Sequence, residues 1–249
     1  MERPPNYKSI TELYISQEKL TELPSWLSEC EKLEKLGCSG NQITQLNNLP
    51  SGLKELYCGS NNITQLNNLP PTLKKLYCSC NKITHLDNLP QTLKELYCRY
   101  NNITHLDNLP QSLKILNCSL NNITHLDNLP QGLQELDCSE NKKITHLDNL
   151  PPGLKELYCW NNQFTQLDNL PKTLKHLECK NNEITHLDNL PLTLEELKCY
   201  NNKITHLDNL PQTLKKLICS NNPLKYDFEP TLENIRNYIN QNNQNKLIK

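Results

Sequence analysis

Leu93-Lys-Glu-Leu96-Tyr-Cys98-Arg-Tyr-Asn101-Asn-Ile103-Thr-His-Leu106-Asp-Asn-Leu109-Pro110 decides the fold, because most of the 249-residue chain consists of copies of it. Its first leucine recurs at positions 33, 53, 73, 93, 113, 133, 154, 174, 194 and 214. The step is 20 residues except between Leu133 and Leu154, where Lys142-Lys143 lengthens a loop by one residue; that insertion is expected to displace surface chain and leave the core alone. A period of this length means a solenoid, since each unit is too small to bury its apolar face except against its neighbours. Leu96 and Cys98 alternate with Glu95 and Tyr97, the period-two pattern of a short strand with one face inward. Such strands are expected to pair in parallel from coil to coil. The asparagine column from Asn41 through Asn101 to Asn222 falls where each strand must turn away, and a primary amide can both donate to and accept from backbone left unpaired there. The return carries Leu-Pro in each unit, as in Leu89-Pro90 and Leu109-Pro110. Proline cannot donate a backbone hydrogen bond or continue a helix interior, so the convex side is predicted to be extended and not helical.

The ends depart from the pattern. Ile10, Leu13, Ile15 and Leu20 form a degenerate first unit with Glu18 in the asparagine slot, as terminal caps commonly do. After Leu224, Phe228, Leu232, Ile235 and Ile239 follow helical spacing behind Pro230-Thr231, which predicts an amphipathic helix closing the core. The last nine residues, QNNQNKLIK, are expected to fray. The expected organisation is an N-terminal region and degenerate capping repeat over 1–32, ten repeats over 33–224, and a capping helix with tail over 225–249.

The pattern L-x-x-L-x-C-x-x-N-x-I resembles the leucine-rich repeat signature, with cysteine in one apolar slot, over roughly residues 10–224. The 20-residue unit and its Leu-Pro return are similar to the short-repeat effectors of Gram-negative pathogens. The richness in Asn, Ile and Lys, with NLPxTLKxLxC, resembles the leucine-rich repeat proteins of giant amoebal viruses. The resemblance implies an α/β-type leucine-rich repeat solenoid of short parallel strands, and a non-enzymatic scaffold that binds a protein, possibly of a host, through its concave face. The fold alone does not specify an activity. Some bacterial relatives carry a ubiquitin-ligase domain with a catalytic cysteine after the repeats. The residues after Leu224 contain no cysteine, so that activity does not carry over.

A net charge of -1 makes no electrostatic case for nucleic acid or an anionic membrane. The start MERPPNYKSI has no apolar signal region, and no apolar run is long enough to span a bilayer. The expectation is an intracellular, monomeric protein with reduced cysteines, whose Asn-Ile-Thr acceptor sites at Asn62, Asn102 and Asn122 stay unmodified. There is no phosphate-cradling glycine loop, nucleophile elbow or HExxH motif, so neither a cofactor nor an enzymatic activity is expected.

Four columns carry chemistry. The cysteines at 38, 58, 78, 98, 118, 138, 159, 179, 199 and 219 read as small buried hydrophobes, because side chains leaving paired strands in the same direction hold their Cβ atoms too far apart for an unstrained disulfide. Cys80, outside the column, is expected to be exposed and reactive. His85, His105, His125, His146, His186 and His206 are each followed two residues later by Asp87, Asp107, Asp127, Asp148, Asp188 or Asp208. That column offers a metal-binding or pH-responsive alternative, although Gln45, Gln65 and Gln166 in the same slot favour a merely solvated ladder. The outward strand positions place Tyr57, Tyr77 and Tyr97 in a row continued by Asn117, Asp137 and Tyr158, with Arg99, Tyr100, Trp160 and Tyr200 beside it. Aromatic and arginine side chains dominate interface hot spots, so these eight aromatic and arginine residues form the candidate protein-binding site; a purely structural role in cross-strand packing is the competing reading. A lysine stripe, Lys54 through Lys215, is offset by neighbouring glutamates and reads as a soluble rim.

Overall fold

The computed structural model describes residues 2–147 and 149–247, with side chains to residue 241. Eleven three-residue strands run in chain order as one parallel sheet: β1 (Glu12–Tyr14), β2 (Lys35–Gly37), β3 (Glu55–Tyr57), β4 (Lys75–Tyr77), β5 (Glu95–Tyr97), β6 (Ile115–Asn117), β7 (Glu135–Asp137), β8 (Glu156–Tyr158), β9 (His176–Glu178), β10 (Glu196–Lys198) and β11 (Lys216–Ile218). The register is uniform: Leu76 pairs with Leu96 and Leu96 with Leu116, while the residues on either side face outward. The degenerate first unit joins in the same register, with Leu13 opposite Leu36.

The inner coils contribute Leu, Leu, Cys, Ile and Leu to one continuous core, as Leu93, Leu96, Cys98, Ile103 and Leu106 show, with Phe164 in the Ile slot of one coil. The ten column cysteines are buried free thiols. Removal from water pushes the thiols of Cys98 and Cys179 up to about 12, so they stay neutral and behave as apolar filler.

The buried asparagines tie consecutive coils together. Asn81 Nδ2 donates to the carbonyls of Cys58 and Cys78, at 3.0 Å each, and its Oδ1 accepts from the Ile63 amide at 2.9 Å. One side chain thus satisfies polar backbone in two coils, which water cannot reach. On the return, Pro90 accepts from the Leu93 amide to close a turn, and Thr92 Oγ1 donates back to Pro71 and Leu73 of the preceding coil.

Three features differ from the sequence-based expectation. The convex side is not wholly extended: a 3-10 helix, Ser25–Glu29, buries Trp26 and Leu27 between β1 and β2. That coil is three residues longer than the 20-residue units, and a single tight helical turn takes up the excess. The C-terminal helix α1 (Leu232–Leu247) continues into the segment expected to fray; after Pro230 there is neither Pro nor Gly to stop it, and Gln and Lys are good helix formers. The remainder of that segment, Ile248 and Lys249, lies outside the described residues. At Lys142-Lys143 the chain is exposed, yet the asparagine ladder is re-aimed: Asn162 Oδ1 accepts from the Asn141 amide, and the Ile144 amide turns to the Asn141 carbonyl.

α1 closes the end of the core with Ile235, which is fully buried. Thr231 Oγ1 caps it by accepting from the Asn234 amide. Arg236 Nη2 reaches back to the carbonyls of Pro211, Gln212 and Leu214, at 2.9–3.1 Å.

Candidate functional site

Because the middle residue of every strand points into the core, its two neighbours project together on the opposite face, and residues 20 apart become lateral neighbours. Tyr57, Tyr77 and Tyr97 are register partners on β3, β4 and β5. Their rings stack at centroid separations of 4.5 and 4.6 Å, within 8° of coplanar. Each ring is half-buried by its neighbours, leaving an aromatic ribbon open to solvent on one side. Tyr158 stands further along the same row, separated from Tyr97 by Asn117 and Asp137, and its hydroxyl donates to Glu156 at 2.8 Å.

The sequence missed one member at the N-terminal end. Tyr14 pairs with Gly37, which pairs with Tyr57. The Tyr14 ring lies across Gly37 so closely that a Cβ there would meet Tyr14 Cδ1 at 2.6 Å. The Lys35 ammonium sits between the rings of Tyr14 and Tyr57, 5.8 and 5.7 Å from their centroids. Aligning the degenerate unit on Leu13 was the signal that would have found it.

Two strand-row positions further, Trp160 and Tyr200 are not adjacent; Lys180 stands between them, 4.8 and 5.5 Å from the two ring centroids. Glu178 holds that lysine in an ion pair and also bonds Lys198 at 2.9 Å. The two ammonium groups keep Glu178 below the ordinary carboxylate range although its burial opposes them. Arg99 is exposed, with no ion pair among the described residues. Tyr100 is set apart from the strand face: it occupies the turn after β5 in a left-handed conformation, φ 56°, with 61% of its surface exposed.

The histidine column is exposed, and each imidazole shares a hydrogen bond with the hydroxyl of the preceding threonine, as in Thr104 to His105 at 2.9 Å. Among the described residues no group of three His, Cys, Asp or Glu side chains converges as a metal site would require; Asp148 of this column lies outside them. Lys54, Lys175 and Lys215 of the basic stripe pair with Glu34 or Glu195 of adjoining coils. Cys80 is exposed, as expected. Among the described residues no helix is long and apolar enough to cross a membrane.

A stack of parallel coils presenting one open face of variable side chains defines a repeat solenoid. No family model matches the chain, and no curated protein matches it. Solved structures do. The effector YopM of Yersinia pestis shares 30% identity over 86% of this chain and 60% of its own, with a TM-score of 0.79. InlJ of Listeria monocytogenes, whose functional domain includes a cysteine ladder, shares 31% identity over 88% of this chain and 55% of its own, with a TM-score of 0.70. A Shigella effector leucine-rich repeat domain shares 30% identity over 70% of each chain, with a TM-score of 0.53. The chain belongs to the leucine-rich repeat family. It spans little more than half the length of the YopM and InlJ chains.

Proposed function

We propose that this protein is a non-enzymatic scaffold that recognises a protein partner through the concave, strand-lined face. The observation that carries the reading is the stacked Tyr57, Tyr77 and Tyr97 ribbon, with Tyr158 in the same row and the Trp160–Lys180–Tyr200 sandwich beside it. Preassembled rings lose little entropy on binding and bury large area, which is the physical basis of hot spots. On this reading the protein works as an intracellular monomer, and its partner is a protein of a host cell, as the resemblance to giant-virus and effector repeats implies; nucleic acid and membrane are not its targets. The test is affinity capture from host-cell lysate with wild type beside Tyr97→Ala/Trp160→Ala. A protein retained by the wild type and lost by the variant, with both folded, supports the reading. Equal retention moves the site off this face.

A further inference from the structure

The two ends of the sheet are finished differently. At the C-terminal end α1 stands in for a further coil. Thr213 Oγ1 donates to the carbonyls of Leu192 and Leu194, and twenty residues on Arg236 Nη2 takes the equivalent carbonyls of Gln212 and Leu214. Cys219 Sγ meets the Pro230 carbonyl as Cys98 Sγ meets the Asn117 carbonyl of its next coil, both at 3.3 Å. Contacts that another coil would make are therefore already made.

Nothing comparable covers β1. The segment before it bonds within itself, Tyr7 to Pro4 and Ser9 to Asn6. It is held at the 3-10 helix, where Glu29 accepts from the Tyr7 hydroxyl at 3.0 Å and pairs with Arg3 at 3.5 Å. Along a strand, successive residues turn their backbone groups to opposite neighbours. Thr11 and Ile15 turn to β2, the Thr11 carbonyl accepting from Lys35 and the Ile15 amide donating to Gly37. Glu12 and Tyr14 turn away. Their counterparts on β3 bond the preceding coil, the Glu55 amide donating to Glu34 at 2.9 Å and the Tyr57 carbonyl accepting from Cys38 at 2.8 Å. The amides and carbonyls of Glu12 and Tyr14 have no such partner among the described residues. Both residues are exposed, Tyr14 by 58%, and Leu13 between them is only partly covered although Leu36 and Leu56 are fully buried. An exposed strand with unpaired backbone is a template for another strand.

We propose that the β1 edge takes up an extended segment of the protein partner, parallel to β1, with a basic residue opposite Glu12, an apolar residue opposite Leu13 and an aromatic residue opposite Tyr14. The inference rests on the scaffold reading and gives its partner a chemistry. The residue types follow from the columns that the added strand extends. Glu12, Lys35, Glu55, Lys75 and Glu95 are successive register partners of alternating charge, and Lys75 pairs with Glu95 at 3.1 Å. Leucine fills the middle column of the same strands. The Tyr14 ring leans over Gly37, toward the tyrosine ribbon, which leaves its other face to an incoming ring. A second copy of this chain matches the edge less well. Paired across a two-fold axis, β1 sets Glu12 against Tyr14 and brings no cation, while head-to-tail addition meets α1.

The probe is a synthetic peptide of residues 72–79 carrying Cys78→Ser, whose Lys75-Leu76-Tyr77 supplies the pattern. Amide exchange and chemical shifts of the full chain are followed by NMR as the peptide is added. Wild type is expected to gain protection at the Glu12 and Tyr14 amides, while Leu13, turned to β2, stays as it was. Glu12→Pro deletes an outward N–H that serves no bond in the fold, and is expected to weaken binding roughly tenfold or more with Leu13 still protected. The same peptide carrying Lys75→Glu leaves the protein untouched and is expected to lose as much. No protection at Glu12 and Tyr14, shifts centred away from β1, or equal binding of the Lys75→Glu peptide would each overturn the inference. So would protection that grows with protein concentration before peptide is added, which gives the edge to a second copy. Capture from lysate separates the two readings. If Tyr97→Ala/Trp160→Ala loses a protein that Glu12→Pro retains, the edge inference falls and the concave-face reading stands; the reverse result does the opposite, and if both variants retain it, both fall.

Discussion

Asn101→Ala probes what joins one coil to the next. Asn101 Oδ1 accepts from the Ile83 amide at 3.0 Å, and its Nδ2 donates to the carbonyls of Cys78 at 3.1 Å and Cys98 at 2.9 Å. The two carbonyls are shared, since Asn81 also donates to Cys78 and Asn121 to Cys98. The Ile83 amide has no second acceptor among the described residues. Truncation therefore orphans one buried N–H, at about 1–3 kcal/mol, and removes the two shared bonds and a longer one to the Arg99 carbonyl at 3.3 Å, each worth less, for a loss of about 2–4 kcal/mol. The half-exposed Asn222, at the last coil, can yield its Ile204 partner to water, and Asn222→Ala should cost about 1 kcal/mol. A repeat array need not unfold in one step, so the primary assay is native-state hydrogen exchange at Ile83, with denaturant midpoints alongside. Unchanged Ile83 exchange, together with a midpoint shift worth less than about 0.5 kcal/mol, would refute the reasoning, because an amide left without an acceptor cannot remain protected.

Arg236→Ala removes the donor to three carbonyls of the last coil and should speed exchange at Leu214, while protection at Leu96 stays at the wild-type level; exchange mass spectrometry resolves the two regions. Glu135→Gln should stabilise the protein at neutral pH. The folded state raises this carboxyl, so it favours the protonated form, and wild type loses stability as pH rises through the carboxylate range. The gain in melting temperature should shrink to nothing below about pH 4, where the unfolded side chain is protonated too; a gain equal at every pH would contradict this cause. With a thiol reagent under native conditions, Cys80 alone should react fast and Cys80→Ser should abolish that phase, the column thiols appearing only on unfolding. Rapid native labelling of Cys98 would mean that the coils open.

The sheet, its direction, the inward leucines and cysteines and the role of the asparagine column were legible because one pattern, repeated ten times, leaves only one way for all copies to bury their apolar sides. The capping helix was legible from its spacing and its proline boundary. For the candidate site, the Tyr57, Tyr77 and Tyr97 stack followed from alternation plus period. The Trp160–Lys180–Tyr200 sandwich did not, because Lys180 looks in isolation like one more solvated charge. Tyr14 escaped notice because its unit is degenerate, although Gly37 had left room for its ring.

The sequence by itself determined what repeats: period, strand, core and the buried amides, each enforced by burial of the same residue at the same place. The tertiary structure alone decided the conformations that no local preference supports. Leu120 and Tyr100 adopt left-handed backbone, φ 52° and 56°, where a bulky side chain is disfavoured. They do so because their amides bond the carbonyls of Ser139 and Ser119 in the next coil, each at 3.0 Å. The stack imposes that turn on whatever residue stands there, and the same indifference leaves the outward positions free to carry a binding surface.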